Sequence, residues 1–196
     1  MYSLALFGED YGHQVVISNL ISRMAPAGSI TINVLSAKHG KGNVITSFKK
    51  YLHDVEKGFS RQHDALIIAL DCNCKGYFAK KNEIDCCITP FFDPIPLIHA
   101  LPDPHVERWL LIDFQAFKAV FGKGCKAPDQ KCEKYRYKTL LREAIENAGG
   151  NVLLGGLEHA EDLVKAMSFD TLKNSDNSIK RFIIETEQVL KSWKLI

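Results

Sequence analysis

Six consecutive apolar residues, Ala65 to Leu70, stand between Asp64 and Asp71 and set the tightest limit on how this chain can fold. A strand with one face in water alternates apolar and polar residues, whereas a short unbroken run reads as a strand covered on both faces. Covering both faces takes helices on each side of a parallel sheet, so the run points to an α/β fold. It ends in Asp71–Cys72–Asn73–Cys74–Lys75–Gly76. Open α/β sheets bind ligands beyond the carboxyl ends of their strands, where this segment falls. Side chains two apart in an extended segment point the same way, so Asp71 and Asn73 can offer oxygens to one Mg²⁺, with Mn²⁺ as a substitute ion. The plainer reading is that both serve the turn, bonding its backbone and capping a helix. On a loop, Asp71 is expected to add little to folding, so Asp71→Ala should leave the fold intact.

A second acid strengthens the metal reading. The chain opens with the apolar run Leu4–Phe7 and continues Gly8–Glu9–Asp10 into a helical pattern of Val16, Leu20, Ile21 and Met24. Asp10 suits the helix N-cap. Glu9 then has no capping role, although a first-turn acid also gains from the helix dipole. Two strands that each end in a carboxylate and lead into a helix are what a metal at the carboxyl edge of a parallel sheet requires.

At 196 residues and 46% hydrophobic, the chain can bury one substantial core. The expected layout is an α/β core over 1–120, with a basic segment and C-terminal helices over 121–196 packed on the same domain. A net charge of +2 neither demands nor excludes a polyanionic partner. No apolar run has the length of a membrane span, and the N-terminal one is too short for a secretion leader, so a cytoplasmic protein is expected. In that compartment the six cysteines read as thiols. Their spacings, Cys72-x-Cys74, Cys86-Cys87 and Cys125-x₆-Cys132, do not suit a structural zinc site.

Further along, Ser29–Leu35 alternates like a half-exposed strand, and Val44, Phe48, Leu52 and Val55 mark a helix. Between them Lys38 and Lys41 flank Gly40. They could attract phosphate at the helix start, or simply be solvated. A polar helix is expected over 77–87 and a short strand over Leu97–Leu101. Asp103 then reads as an N-cap and Pro104 as a first helical residue, with Val106, Leu110, Phe114 and Phe117 as one buried stripe. Glu107 lies one position off that stripe; it either leans toward Glu9 and Asp71 or is an ordinary first-turn acid. Helices are expected near 135–147, 158–168 and 178–194. The stretch from Gly122 to Lys138 carries five lysines, Arg136 and two tyrosines. Lys131, Lys134 and Arg136 could track a nucleic-acid backbone, with solvation as the plainer reading. Tyr135 and Tyr137 point about 200° apart on a helix, so at most one can stack on a base while the other packs inward.

At Gly8–Glu9–Asp10, Asp71–Cys–Asn73–Cys–Lys–Gly76 and Pro102–Asp–Pro–His–Val–Glu–Arg–Trp109 the chain resembles a TOPRIM-like bacterial family of unknown function. The resemblance continues through Phe117–Cys132 to Leu154–Gly–Gly–Leu–Glu158 and so covers most of the chain. It implies a Rossmann-like, mainly parallel small sheet flanked by helices, with a C-terminal helical extension. TOPRIM domains, as in overcoming-lysogenization-defect nucleases, hold Mg²⁺ on a glutamate and an Asp-x-Asp for phosphodiester chemistry. Carried over, Glu9 and Asp71 match. Asn73 replaces the second aspartate and removes one negative charge. The resemblance implies an Mg²⁺-dependent nuclease, an effector of anti-phage defence working with a neighbouring ABC-type ATPase, with a homodimer compatible. Glu9, Asp71, Glu107 and Lys75 would be the catalytic group, and Glu9, Asp71 and Asn73 the metal ligands. The alternative is a degenerate, non-catalytic subunit that binds the ATPase or nucleic acid.

Overall fold

The computed structural model describes residues 1–35 and 44–196. Among the described residues, four parallel strands form one sheet in the order β2-β1-β3-β4: β1 (Tyr2–Gly8), β2 (Ile30–Val34), β3 (Ala65–Ala69) and β4 (Leu97–Ala100). The helices are α1 (Tyr11–Met24), α2 (Val44–Glu56), α3 (Tyr77–Asp85), α4 (Val106–Leu111), α5 (Phe114–Phe121), α6 (Arg136–Asn147), α7 (Ala160–Ala166), α8 (Phe169–Ser175) and α9 (Asn177–Ser192). The fold is α/β and Rossmann-like. None of the described helices is long and apolar enough to cross a membrane.

The unbroken apolar run of β3 is explained by its two faces. Ala65, Ile67 and Ala69 join Leu4 and Leu6 of β1 in one core, while Leu66, Ile68 and Leu70 join Ala5 and Phe7 in the other. The second core is closed by Phe48, Leu52 and Val55 of α2 and by Tyr77 and Ile84 of α3. The first is closed by α1 and by helices from the C-terminal third, through Leu141, Ile145, Leu163, Val164, Phe182 and Ile183. Each such buried Leu or Ile contributes about 1.5–3 kcal/mol.

The edge strand β4 is guarded by side chains. His99 is buried, and Glu185 of α9 accepts hydrogen bonds from its backbone amide at 2.7 Å and its ring Nδ1 at 3.1 Å. Asp85 of α3 holds the other ring nitrogen at 2.8 Å. An edge amide that would otherwise template another strand is thereby used up.

Two local expectations change. Asp103 and Pro104 do not open a helix: they are joined by a cis peptide, and α4 starts at Val106 with His105 in the cap position. The single stripe from Val106 to Phe117 is broken into two helices, because the Asp113 carboxylate caps α5 by accepting from Gln115 N and Ala116 N, both at 3.0 Å. A short acidic side chain that can bond its own backbone ends a helix rather than continuing it. Phe114 accordingly lies exposed. The helix expected over 158–168 is present as a 3₁₀ turn and α7, while Ser168 and Asp176 cap α8, which the sequence pattern did not reveal, and α9.

Candidate active site

Strand order places the acids. The β1 connection leads through α1 to β2 on one side, and the β3 connection leads through α3 to β4 on the other. The carboxyl ends of β1 and β3 are therefore neighbours from which the chain departs in opposite directions, the crevice where open α/β sheets bind ligands. Glu9 N donates to Ala69 O at 3.1 Å, and Asp71 N to the Glu9 carboxylate at 3.4 Å. Past β3 the chain still runs beside the stretch after β4, with Cys72 N on Pro102 O at 2.9 Å and Asn73 N on Pro104 O at 3.2 Å. This pairing carries His105 and Glu107 to the same edge. Asn73 (φ 46°) and Cys74 (φ 69°) turn the chain back in the left-handed region, which asparagine tolerates better than most residues.

Asp71 is the hub. Its Oδ1 accepts from His13 Nε2 at 3.0 Å and from Val106 N at 2.9 Å, while Oδ2 meets His105 Nδ1 at 2.8 Å. His13, 1% exposed, holds Asp10 on its other ring nitrogen at 2.9 Å, and Asp10 also caps α1. Burial disfavours a charged His13, but hydrogen bonds and charge from Asp10 and Asp71 outweigh it and lift its pKa to about 10. Burial likewise pushes Asp71 up, and the bonds from His105 and His13 bring it well below the usual carboxylate range. The bond to Asp71 raises His105. A carboxylate with this many donors is not a free loop residue, so the expectation that Asp71 adds little to folding is corrected.

Glu107 resolves the two readings of its position. It is 2% exposed, lies beside Asp71, and has Lys138 Nζ at 3.6 Å from Oε1; its Oε2 has no hydrogen-bond partner. Burial, then the negative charge of Asp71, raises its pKa. Among the described residues, Glu9, His13 and Asp71 bring their ligand atoms within 4.8 Å of one another, and so do Asp71, His105 and Glu107. Asp71 belongs to both groups.

Glu9, Asp10, Asp71, His105 and Glu107 line a cavity of about 250 Å³, together with Asn73, Cys74, Lys134, Tyr135, Tyr137 and Lys138. The cation at the acids is Lys138. Lys75, expected there, is exposed and is not among the lining residues, because the left-handed turn at Asn73 and Cys74 carries the chain away before it. Of the basic segment, Lys134 faces the cavity, whereas Arg136 is tied to Asp129 and Glu133 and Lys131 to Asp129. Tyr137 is fully buried and Tyr135 is 56% exposed at the rim. Lys38 and Lys41 lie outside the described residues. A larger groove of about 780 Å³ runs beside the segment, but its Arg136 is already paired and the titratable groups converge on the smaller cavity.

Sequence reasoning missed His13, Lys138 and the role of His105. His13 carried a readable signal, three residues after an N-cap aspartate at the end of a strand; Lys138 carried none. The thiol expectation also fails for one pair. Cys74 and Cys132, 58 residues apart, form a disulfide with Cα atoms 5.4 Å apart, fastening the Asp71 loop to the basic segment; Cys72, Cys86, Cys87 and Cys125 are free.

The His13 cluster predicts a pH signature. A raised pKa means that His13 stabilises the fold fully below its unfolded value of 6.5, with the contribution lost as pH rises through about 10. The lowered pKa of Asp71 contributes above its unfolded value of 3.8 and is lost as pH falls through the folded value. In His13→Gln a neutral hydrogen bond replaces a charged one, at a cost of about 2 kcal/mol, or roughly 5 °C in Tm. Thermal melts in EDTA should show the gap from wild type widest just below pH 6.5 and narrowing toward pH 10. A gap that does not vary with pH would mean that His13 is neutral in the fold.

Compared with family models, curated proteins and solved structures, the chain finds no match in any of the three.

Proposed function

We propose that the protein is a divalent-metal-dependent phosphodiesterase acting on nucleic acid. The observation that carries the reading is the convergence of Glu9, Asp71 and Glu107 at the switch point of the sheet, in one cavity with Lys134 and Lys138. Three acids gathered in so small a volume repel one another, and a bound cation relieves that repulsion. Glu9 and Asp71, with the Asn73 carbonyl alongside, would hold Mg²⁺, which supplies Lewis acidity toward a phosphoryl oxygen and a more acidic bound water. Lys138 and Lys134 would bind phosphate oxygens from the opposite wall. Tyr135 at the rim, with Lys134 Nζ 4.8 Å from its ring centroid, offers a surface on which a base can stack. The family resemblance extends the proposal to a defence effector controlled by an ABC-type ATPase.

The test is incubation of the purified chain with single- and double-stranded DNA and RNA, in Mg²⁺ or Mn²⁺, with and without an ABC-type ATPase encoded beside it. Cleavage that requires the ion and stops with EDTA is expected. Absence of cleavage on every substrate, with the ATPase present, would overturn the reading and leave a binding subunit.

A further inference from the structure

Glu107 poses a problem that the Mg²⁺ reading leaves unsolved. Its carboxylate is 2% exposed, its Oε2 is unpartnered, and the nearest cation, Lys138, stands at 3.6 Å from the other oxygen. Burying a carboxylate oxygen without a partner forfeits its hydration with nothing in return. The chain keeps it there, facing the cavity and within ligand distance of Asp71 and His105. Uncharged isosteres would fit the same space at lower cost. A carboxylate that is costly to bury, has an unpartnered oxygen and lies among two other metal-ligating groups is explained by an ion that completes it.

The composition of this group decides which ion. The group around Glu9 includes His13, but Asp10 and Asp71 take both of its ring nitrogens, so that side offers the oxygens of Glu9 and Asn73. The Glu107 side offers two carboxylates and the His105 imidazole. Mg²⁺ takes oxygen ligands and keeps much of its water, whereas imidazole nitrogen suits the later divalent transition ions. We propose that Asp71, His105 and Glu107 form a cation site of their own, selective for a transition ion such as Zn²⁺ or Co²⁺ over Mg²⁺. The inference rests on the cavity of the proposed phosphodiesterase, but not on its activity. The site would hold its ion tightly from the protein side, with Asp71 shared between this position and the Glu9 side.

Co²⁺ is a suitable probe, because its visible absorption reports nitrogen ligation and low coordination number. The full chain, stripped with EDTA and dialysed, is titrated with Co²⁺ by absorption and by calorimetry, then challenged with millimolar Mg²⁺. One Co²⁺ per chain that resists Mg²⁺ is expected. Glu107→Gln and His105→Gln should each weaken it at least tenfold, and His105→Gln should also change the spectrum. Loss of the unpartnered carboxylate should let Glu107→Gln melt higher than wild type in EDTA, a gain that a residue serving only the fold would not give. Should one variant fail to fold, the other carries the test. Displacement of Co²⁺ by Mg²⁺, or equal Co²⁺ affinity in a folded variant and wild type, would overturn the site. A chain that cleaves nucleic acid with Mg²⁺ yet has no such Co²⁺ site refutes this inference alone. One that holds Co²⁺ through His105 yet cleaves nothing refutes the phosphodiesterase reading alone.

Discussion

Asp71→Ala is expected to abolish metal-dependent cleavage, by at least about a hundredfold, since losing one preorganised charge-stabilising group already costs that much. It should also weaken divalent binding on both sides of the cavity, because the Glu9 side and the Asp71–His105–Glu107 group share this carboxylate. A second effect runs against what a loop acid would show. Removing Asp71 leaves the Val106 amide and the rings of His13 and His105 without their partner. With His13 charged and 1% exposed, that loss should cost about 2–4 kcal/mol, or on the order of 5–10 °C in the melting temperature in EDTA. Asp71→Asn retains an acceptor for Val106 and should fall between the two. Cleavage assays and melts on the same preparations check both statements. Full activity in Asp71→Ala would dispose of the site, and an unchanged melt would show that the imidazole bonds contribute nothing.

Asp176→Ala is expected to cost more stability than Asp71→Ala, although Asp176 is far from the cavity in sequence. Its Oδ1 caps α9 by accepting from Ser178 N at 2.8 Å and Ile179 N at 2.9 Å, and its Oδ2 pairs with the buried Arg108 of α4. Ser178 Oγ, held by the same carboxylate, accepts from Trp109 Nε1 at 2.9 Å. Breaking one side of a buried ion pair costs about 3–5 kcal/mol, because the other charge stays buried, and the lost cap adds about 1 kcal/mol. The melting temperature should drop by roughly 10 °C or more. Asp176→Asn keeps the cap acceptor and loses the charge, so it separates the two contributions. Because α4 also carries Glu107, either variant that folds should bind Co²⁺ more weakly; unchanged affinity would show that α4 is positioned without this network.

The order of strands and helices up to β4 was readable because local rules govern it. Ala65–Leu70 had to be covered on both faces, Ser29–Leu35 alternated, and Asp10 sat where a helix needs an acceptor. Glu9 and Asp71 were legible for the same reason: an acid directly after an apolar run falls at the carboxyl end of a strand wherever the fold puts it. The helix break at Asp113 was legible in principle, since it is a capping residue, but the apolar stripe from Val106 to Phe117 running across it masked the signal; Ser168 and Asp176 fall at the ends of expected helices, and only the short α8 between them went unread.

The alternation of strands and helices, and the acids that end two of the strands, follow from residue order alone. Which groups meet those acids was decided by the tertiary structure alone. His13 and His105 reach Asp71 from different elements, Lys138 comes from a helix 67 residues after Asp71, and Cys74 meets Cys132 across 58 residues. Periodicity records which face of an element is buried, not which element lies opposite. Glu107 shows the difference. As a letter in the sequence it is an ordinary first-turn acid, and it becomes a buried, unpartnered carboxylate only when β3 and the segment after β4 pair as far as Pro104 and α9 holds α4 against the sheet.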